Sequence, residues 1–236
     1  MRLARWAFAA LLALLSIPAL AEVTLVPHTA QYDVKISIVS GVLNTELRRT
    51  AGGYLAHHVV RATGMSKLLT NGSMDVTSEF SSSDGELKPI RFHAIDTIKN
   101  DPDVDLRFDW STNEVSGTIG EENVTQKLDG VVHDSVSIQY RLMSDLLNGG
   151  ANDRYTLFDI EKLRVADVTN TGTKKVKTKA GTFVAVGIQH QKEGSSRTTT
   201  LWCVEELGYL PVIIEQHRAG KLKFRATLER YTPTPE

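Results

Sequence analysis

Apolar and polar residues alternate with a period of two along most of this chain, and that pattern dictates extended structure. Val104, Leu106, Phe108 and Trp110 interleave with Asp105, Arg107 and Asp109, and Tyr32, Val34, Ile36 and Ile38 with Asp33, Lys35 and Ser37. Successive side chains of a strand point to opposite faces, so each run has one dry and one wet side. Ser40-Gly41, Gly52-Gly53, Asp84-Gly85 and Ala219-Gly220 read as the turns between runs. In the second half, strands are expected at 154–160, 163–171, 174–179, 183–191, 197–204, 210–218 and 221–231, with a frayed tail from Thr232 to Glu236.

One stretch departs from the rule. From Asp134 to Asn148 the apolar residues Val136, Tyr140, Met143 and Leu147 recur at helical spacing. Gln139, Leu142 and Leu146 widen that face, and Ser137, Arg141, Ser144 and Asn148 lie opposite. Asp134 or Ser135 can accept the first-turn amides, and Gly149-Gly150 can supply the left-handed stop. A shorter helix is expected at Ser66–Thr70.

A dozen or so antiparallel strands cannot lie flat without curling. The expected fold is therefore β-rich: a strongly curved antiparallel sheet forming a barrel or half-barrel, with the 134–148 helix across its concave side or mouth. With no repeats and no linker, residues 22–236 read as one domain with a core of about 26–231.

The N-terminus reads as a cleavable export leader. Arg2 and Arg5 form its positive end, Trp6–Leu15 its apolar core, and Ala19-Leu20-Ala21 the small-x-small cleavage pattern. The apolar run is shorter than the roughly 20 residues of a membrane span. Cleavage after Ala21 implies a periplasmic location, and no cysteine follows the cut to carry a lipid. The mature chain is nearly neutral, with basic and acidic residues well mixed, which argues against nucleic acid as a partner. No other segment reads as transmembrane.

Chemistry is harder to find. His57-His58 would point to opposite faces of a strand and cannot share a metal ion. Asp101, Asp103 and Asp105 would share a face, but the glycine and glutamate of a calcium loop are missing. No phosphate loop, dinucleotide fingerprint or nucleophile elbow is present. Cys203, in the apolar run Leu201–Val204, reads as a buried small hydrophobe. Lys174, Lys175, Lys177 and Lys179 read as a solvated hairpin tip, with contact to anionic headgroups or lipopolysaccharide the alternative. No catalytic residue, cofactor or metal ligand is assigned.

The C-terminal third carries a resemblance. Thr178-Lys179-Ala180-Gly181-Thr182-Phe183, then Thr199-Thr200-Leu201-Trp202, then Leu207-Gly208-Tyr209-Leu210-Pro211-Val212 are similar to motifs of a bacterial exported family, domain of unknown function 3108. Pro27-His28-Thr29-Ala30-Gln31-Tyr32 resembles its opening strand, and Asp134-Ser135 fits before the helix. Lys179 stands where a proline is usual, and Cys203-Val204-Glu205 replaces the common Leu-Ala-Pro. The resemblance implies a periplasmic, β-rich protein and supplies no reaction.

The leading expectation is a non-enzymatic envelope protein holding an apolar, lipid-like ligand. Val136, Tyr140, Met143 and Leu147 of the helix, with inward-pointing Trp202 and Phe224, are the candidate ligand face. A module docking an envelope protein, or a hydrolase with a dispersed active site, are the alternatives.

Overall fold

The computed structural model describes residues 24–36, 39–68, 70–83, 85–159 and 162–234. The expected export leader, the Ser37-Ile38 step and Asp84 of an expected turn lie outside them. Fifteen strands form one sheet: β1 (His28–Ile36), β2 (Val39–Thr50), β3 (Gly53–Ala62), β4 (Ser73–Ser83), β5 (Glu86–Asp96), β6 (Asp101–Asp109), β7 (Glu114–Ile119), β8 (Glu122–Lys127) and β9 (Val132–His133) precede the helix α1 (Ser137–Leu147). After it come β10 (Arg154–Asp159), β11 (Lys162–Lys177), β12 (Thr182–Lys192), β13 (Arg197–Val204), β14 (Leu210–Arg218) and β15 (Lys221–Pro233).

Two antiparallel meanders are joined where the first strand pairs with the last. The order is β8-β7-β6-β5-β4-β3-β2-β1-β15-β14-β13-β12-β11-β10-β9. Every pairing is antiparallel except that of the two-residue β9 with β10. Twist curls this long sheet until β9 lies against β5, leaving β6–β8 as an extension beyond the contact. The sheet is curved and barrel-like but not closed.

The helix is enclosed by this curve, touching both arms. Tyr140 stacks on Phe80 of β4 at 5.5 Å between ring centroids and meets His58 of β3 at 6.0 Å. Val136 and Met143 join the same large core. On its other flank Leu142 packs with Tyr155, Ile188, Leu201 and Cys203. The expected polar face is only partly solvated: Ser137 and Ser144 are buried, while Asn148 is exposed. Arg141 is largely covered and donates to Asp145 one turn on and to the Gly85 carbonyl. Among the described residues no helix is long and apolar enough to cross a membrane.

Several boundaries differ from the sequence pattern for local reasons. β2 runs through Ser40 and Gly41, which pairs with both Val34 and Ala62. A Cβ on Gly41 would come within 2.8 Å of the Arg61 carbonyl, so glycine marks a close approach here, not a turn. The two strands expected at 163–171 and 174–179 are one strand, β11, with a bulge between Asn170 and Thr173. Gly172 adopts φ 88° there and donates its amide to Asn170 Oδ1. The short helix is a 3-10 turn, Gly64–Leu68. The tail is held through Thr234, whose amide donates to the Pro27 carbonyl.

Candidate functional site

The concave face of β10–β14 and the second flank of α1 do not meet fully. Between them lies a pocket of about 240 Å³. Ile138 and Leu142 form its helical wall; Leu157, Val168, Leu201 and Ile214 form most of its sheet wall. Ile188, beneath Leu142, belongs to the packed floor.

Strand register gives the pocket a gradient. Ile188, Leu201 and Ile214 are cross-strand neighbours on β12, β13 and β14. Two residues along, His190, Thr199 and Gln216 form the next row, and Gln216 Nε2 donates to Thr199 Oγ1 at 3.4 Å. Two residues further, Arg197 and Arg218 face each other across β13 and β14, and Lys192 lies at the end of β12 beside them. These cations line a mouth of about 490 Å³ with Ser195 and Ser196. Ser135, Ile138, Leu157, His190, Thr199 and Gln216 line both spaces, so pocket and mouth are continuous. No carboxylate lines either among the described residues.

The polar groups at this site are set by burial. Desolvation, with Lys192 adding to it, lowers the His190 pKa to about 4, so its imidazole is neutral near neutral pH. Tyr155 donates its hydroxyl to Asp145 Oδ2 at 2.6 Å, which fixes the ring in the pocket wall. The Cys203 thiol is fully buried and its pKa is pushed well up by desolvation, leaving no nucleophilic thiolate.

The candidate residues read from the sequence fall elsewhere. None of Val136, Tyr140, Met143, Leu147, Trp202 and Phe224 belongs to the pocket wall. The first three are buried core, and Leu147 and Phe224 pack partly buried against that core. Trp202, on the opposite side of β13 from Leu201, also packs partly buried against that core. Its ring lies over Gly187 and beneath Lys174, whose Nζ is 3.5 Å from the ring centroid, and its Nε1 donates to Glu215. The pocket uses the helix positions one step round, Ile138 and Leu142. Leu142 was visible as a widening of the apolar face; Ile138 carried no separate signal.

A glycine secures the tryptophan. A Cβ on Gly187 would fall 2.3 Å from Thr171 Oγ1 and 2.7 Å from the Trp202 ring. Gly187→Ala is expected to destabilise the protein by about 1–3 kcal/mol in a urea titration, because neither neighbour can withdraw freely. A loss under about 0.5 kcal/mol would contradict this packing.

The remaining sequence cues are accounted for structurally. His57 and His58 do point apart: His57 meets Asp75 at 2.8 Å, and His58 meets the Tyr140 hydroxyl at 3.1 Å. Asp105 is held by Arg91 through two hydrogen bonds. In the lysine cluster Lys174 covers Trp202 and Lys179 pairs with Glu229.

A large, curved, open antiparallel sheet, enclosing the one α-helix among the described residues, defines a barrel-like β protein. Residues 29–227 match the family model described as "Protein of unknown function (DUF3108)", and the chain belongs to that family. It is similar to the solved β-barrel-like protein of domain of unknown function DUF1849 from Brucella abortus. The two share 15% identity at a TM-score of 0.60, over 90% of this chain and 100% of that one. A solved structure of MucB is 8% identical at a TM-score of 0.37, over 89% of this chain and 54% of that one. No curated protein matches the sequence.

Proposed function

We propose that this is an exported, non-enzymatic protein of the periplasm that holds an apolar, lipid-like ligand between α1 and the concave face of β10–β14. The pocket carries the reading: an apolar space bounded by Leu142, Leu157, Val168, Leu201 and Ile214 and continuous with a polar mouth. Ligand sites commonly combine an apolar lining with a few converging polar groups. The Arg2-to-Ala21 leader pattern supports export.

The test uses 1-N-phenylnaphthylamine, a neutral fluorophore that brightens in apolar sites. Mature protein should bind it saturably, and Leu201→Trp, which fills the pocket, should weaken binding by about tenfold or more while the far-ultraviolet spectrum stays native. Native mass spectrometry of protein taken from the periplasm should show a chain beginning at Glu22 with a small co-purified mass. Absence of fluorophore binding, or equal binding by wild type and Leu201→Trp, would overturn the pocket as the site.

A further inference from the structure

The two opposed arginines at the mouth ask for an explanation. Arg197 and Arg218 are a directly paired cross-strand couple, both exposed, and neither makes an ion pair with a described residue. Like charges directly opposite one another weaken a sheet. No described carboxylate lines the space, so this arginine pair makes the mouth of the pocket positive. The inner pocket is mainly apolar, with Gln139 and Tyr155 its polar members, and Thr199, Gln216 and Ser135 are shared by pocket and mouth.

We infer that the ligand is an anionic single-chain amphiphile, whose carboxylate or phosphate head sits between Arg197 and Arg218 while its acyl chain runs inward past Thr199 to Leu201 and Leu142. This rests on the pocket reading above and adds the ligand's charge, polarity and direction. Guanidinium groups suit such heads because their planar donors match two oxygens at once. The pocket, at about 240 Å³, lies below the roughly 300–1,000 Å³ usual for small-molecule sites, which favours one narrow chain over a branched or ring-bearing body. The polar row at His190, Thr199 and Gln216 offers hydrogen bonds where an acyl chain joins its head.

The same fluorophore separates this inference from its foundation. Below their micellar concentrations, decanoate and decyl phosphate should each displace 1-N-phenylnaphthylamine at concentrations about tenfold or more lower than decanol. Raising the salt should weaken the two anions and leave decanol unchanged. The variant Arg197→Gln/Arg218→Gln should keep a native far-ultraviolet spectrum and lose the preference for decanoate and decyl phosphate over decanol. Preference for decanoate alone would indicate a fatty-acid source, and for decyl phosphate alone a phospholipid-derived head; each supports the inference. Equal competition by decanol, or an anion preference that survives the double substitution, overturns the inference while the pocket stands. Failure of the fluorophore to bind wild type removes both.

Discussion

Asp134→Ala is expected to cost about 3–5 kcal/mol of stability, a large share of what a domain of this size has to lose. Asp134 is 1% exposed, and its carboxylate is the junction at the start of the helix. Oδ1 accepts the amides of Val136 and Ser137, both at 2.8 Å, and Oδ2 accepts the Ser78 hydroxyl at 2.7 Å. Alanine leaves three buried donors without this partner. Burial pushes the Asp134 pKa up while those donors pull it down, so removing the carboxylate also relieves a desolvation cost and the loss stays below the sum of three bonds. Asp134→Asn keeps an acceptor for both amides and should cost less than half as much. The consequence reaches the site, because Ser78 belongs to β4 in the first arm while Ile138 and Leu142, a turn beyond Asp134, wall the pocket against the second. Fluorophore affinity should therefore fall in Asp134→Ala even where the protein remains folded. Equilibrium urea unfolding of the three proteins checks this; a loss under about 1 kcal/mol for alanine would show that Asp134 is no junction.

The sequence offers Asp134 or Ser135 as a cap, but the helix starts from Val136 without a side-chain cap, and Asp134 acts from two residues earlier on the Val136 and Ser137 amides. Most of the pocket carries no sequence signal at all. Alternation carries strand identity well: residues 197–204 and 210–218 are strands with the bounds their patterns suggest. It fails where a strand tolerates an irregularity, as at the Asn170–Thr173 bulge, or has only two residues, as in β9. The helix was legible because Val136, Tyr140, Met143 and Leu147 repeat at 3.6-residue spacing. Periodicity locates an apolar face, however, and is silent on how many walls surround the helix. Here two arms of the sheet clasp it, so the strongest stripe became sealed core and the weaker flank at Ile138 and Leu142 was left beside space. The facing of Arg197 and Arg218 depends on register across the 205–209 connection, where Gly208 and Tyr209 both take positive φ. Nothing in the spacing of those two arginines gives that away.

Acidification from pH 6.5 to pH 4 should destabilise the protein steeply, through histidines buried in their neutral form. Desolvation lowers the pKa of His133 to about 3, with Arg141 adding to it, and that of His58 to about 4, with His28 and His57 adding. His190 falls to about 4 as well, and His28 is lowered by burial against the pull of its hydrogen bond to the Val26 carbonyl. In the unfolded chain each histidine takes a proton near pH 6.5. Below that value the unfolded state binds more protons than the folded one, so stability is intact above pH 6.5 and declines until the folded pKa is reached. For His133, 3% exposed, the decline amounts to about 2 kcal/mol at pH 5 and about 3 kcal/mol at pH 4. Asp134 acts in the opposite sense, since its raised pKa favours the folded state as pH falls, but it is one group against four. His133→Phe is the informative control: the ring can keep its edge contact with Tyr155, and its pH-dependent share disappears. Urea midpoints at pH 7 and pH 4.5 should differ substantially less in this variant than in wild type. Equal differences would mean that His133 is not the buried neutral base described here. His190 adds a functional reading to the same experiment, because its proton arrives at the pocket mouth: decyl phosphate, which stays anionic there, should bind more tightly just above the unfolding transition than at pH 7, whereas decanoate, neutralised by its own protonation, should not.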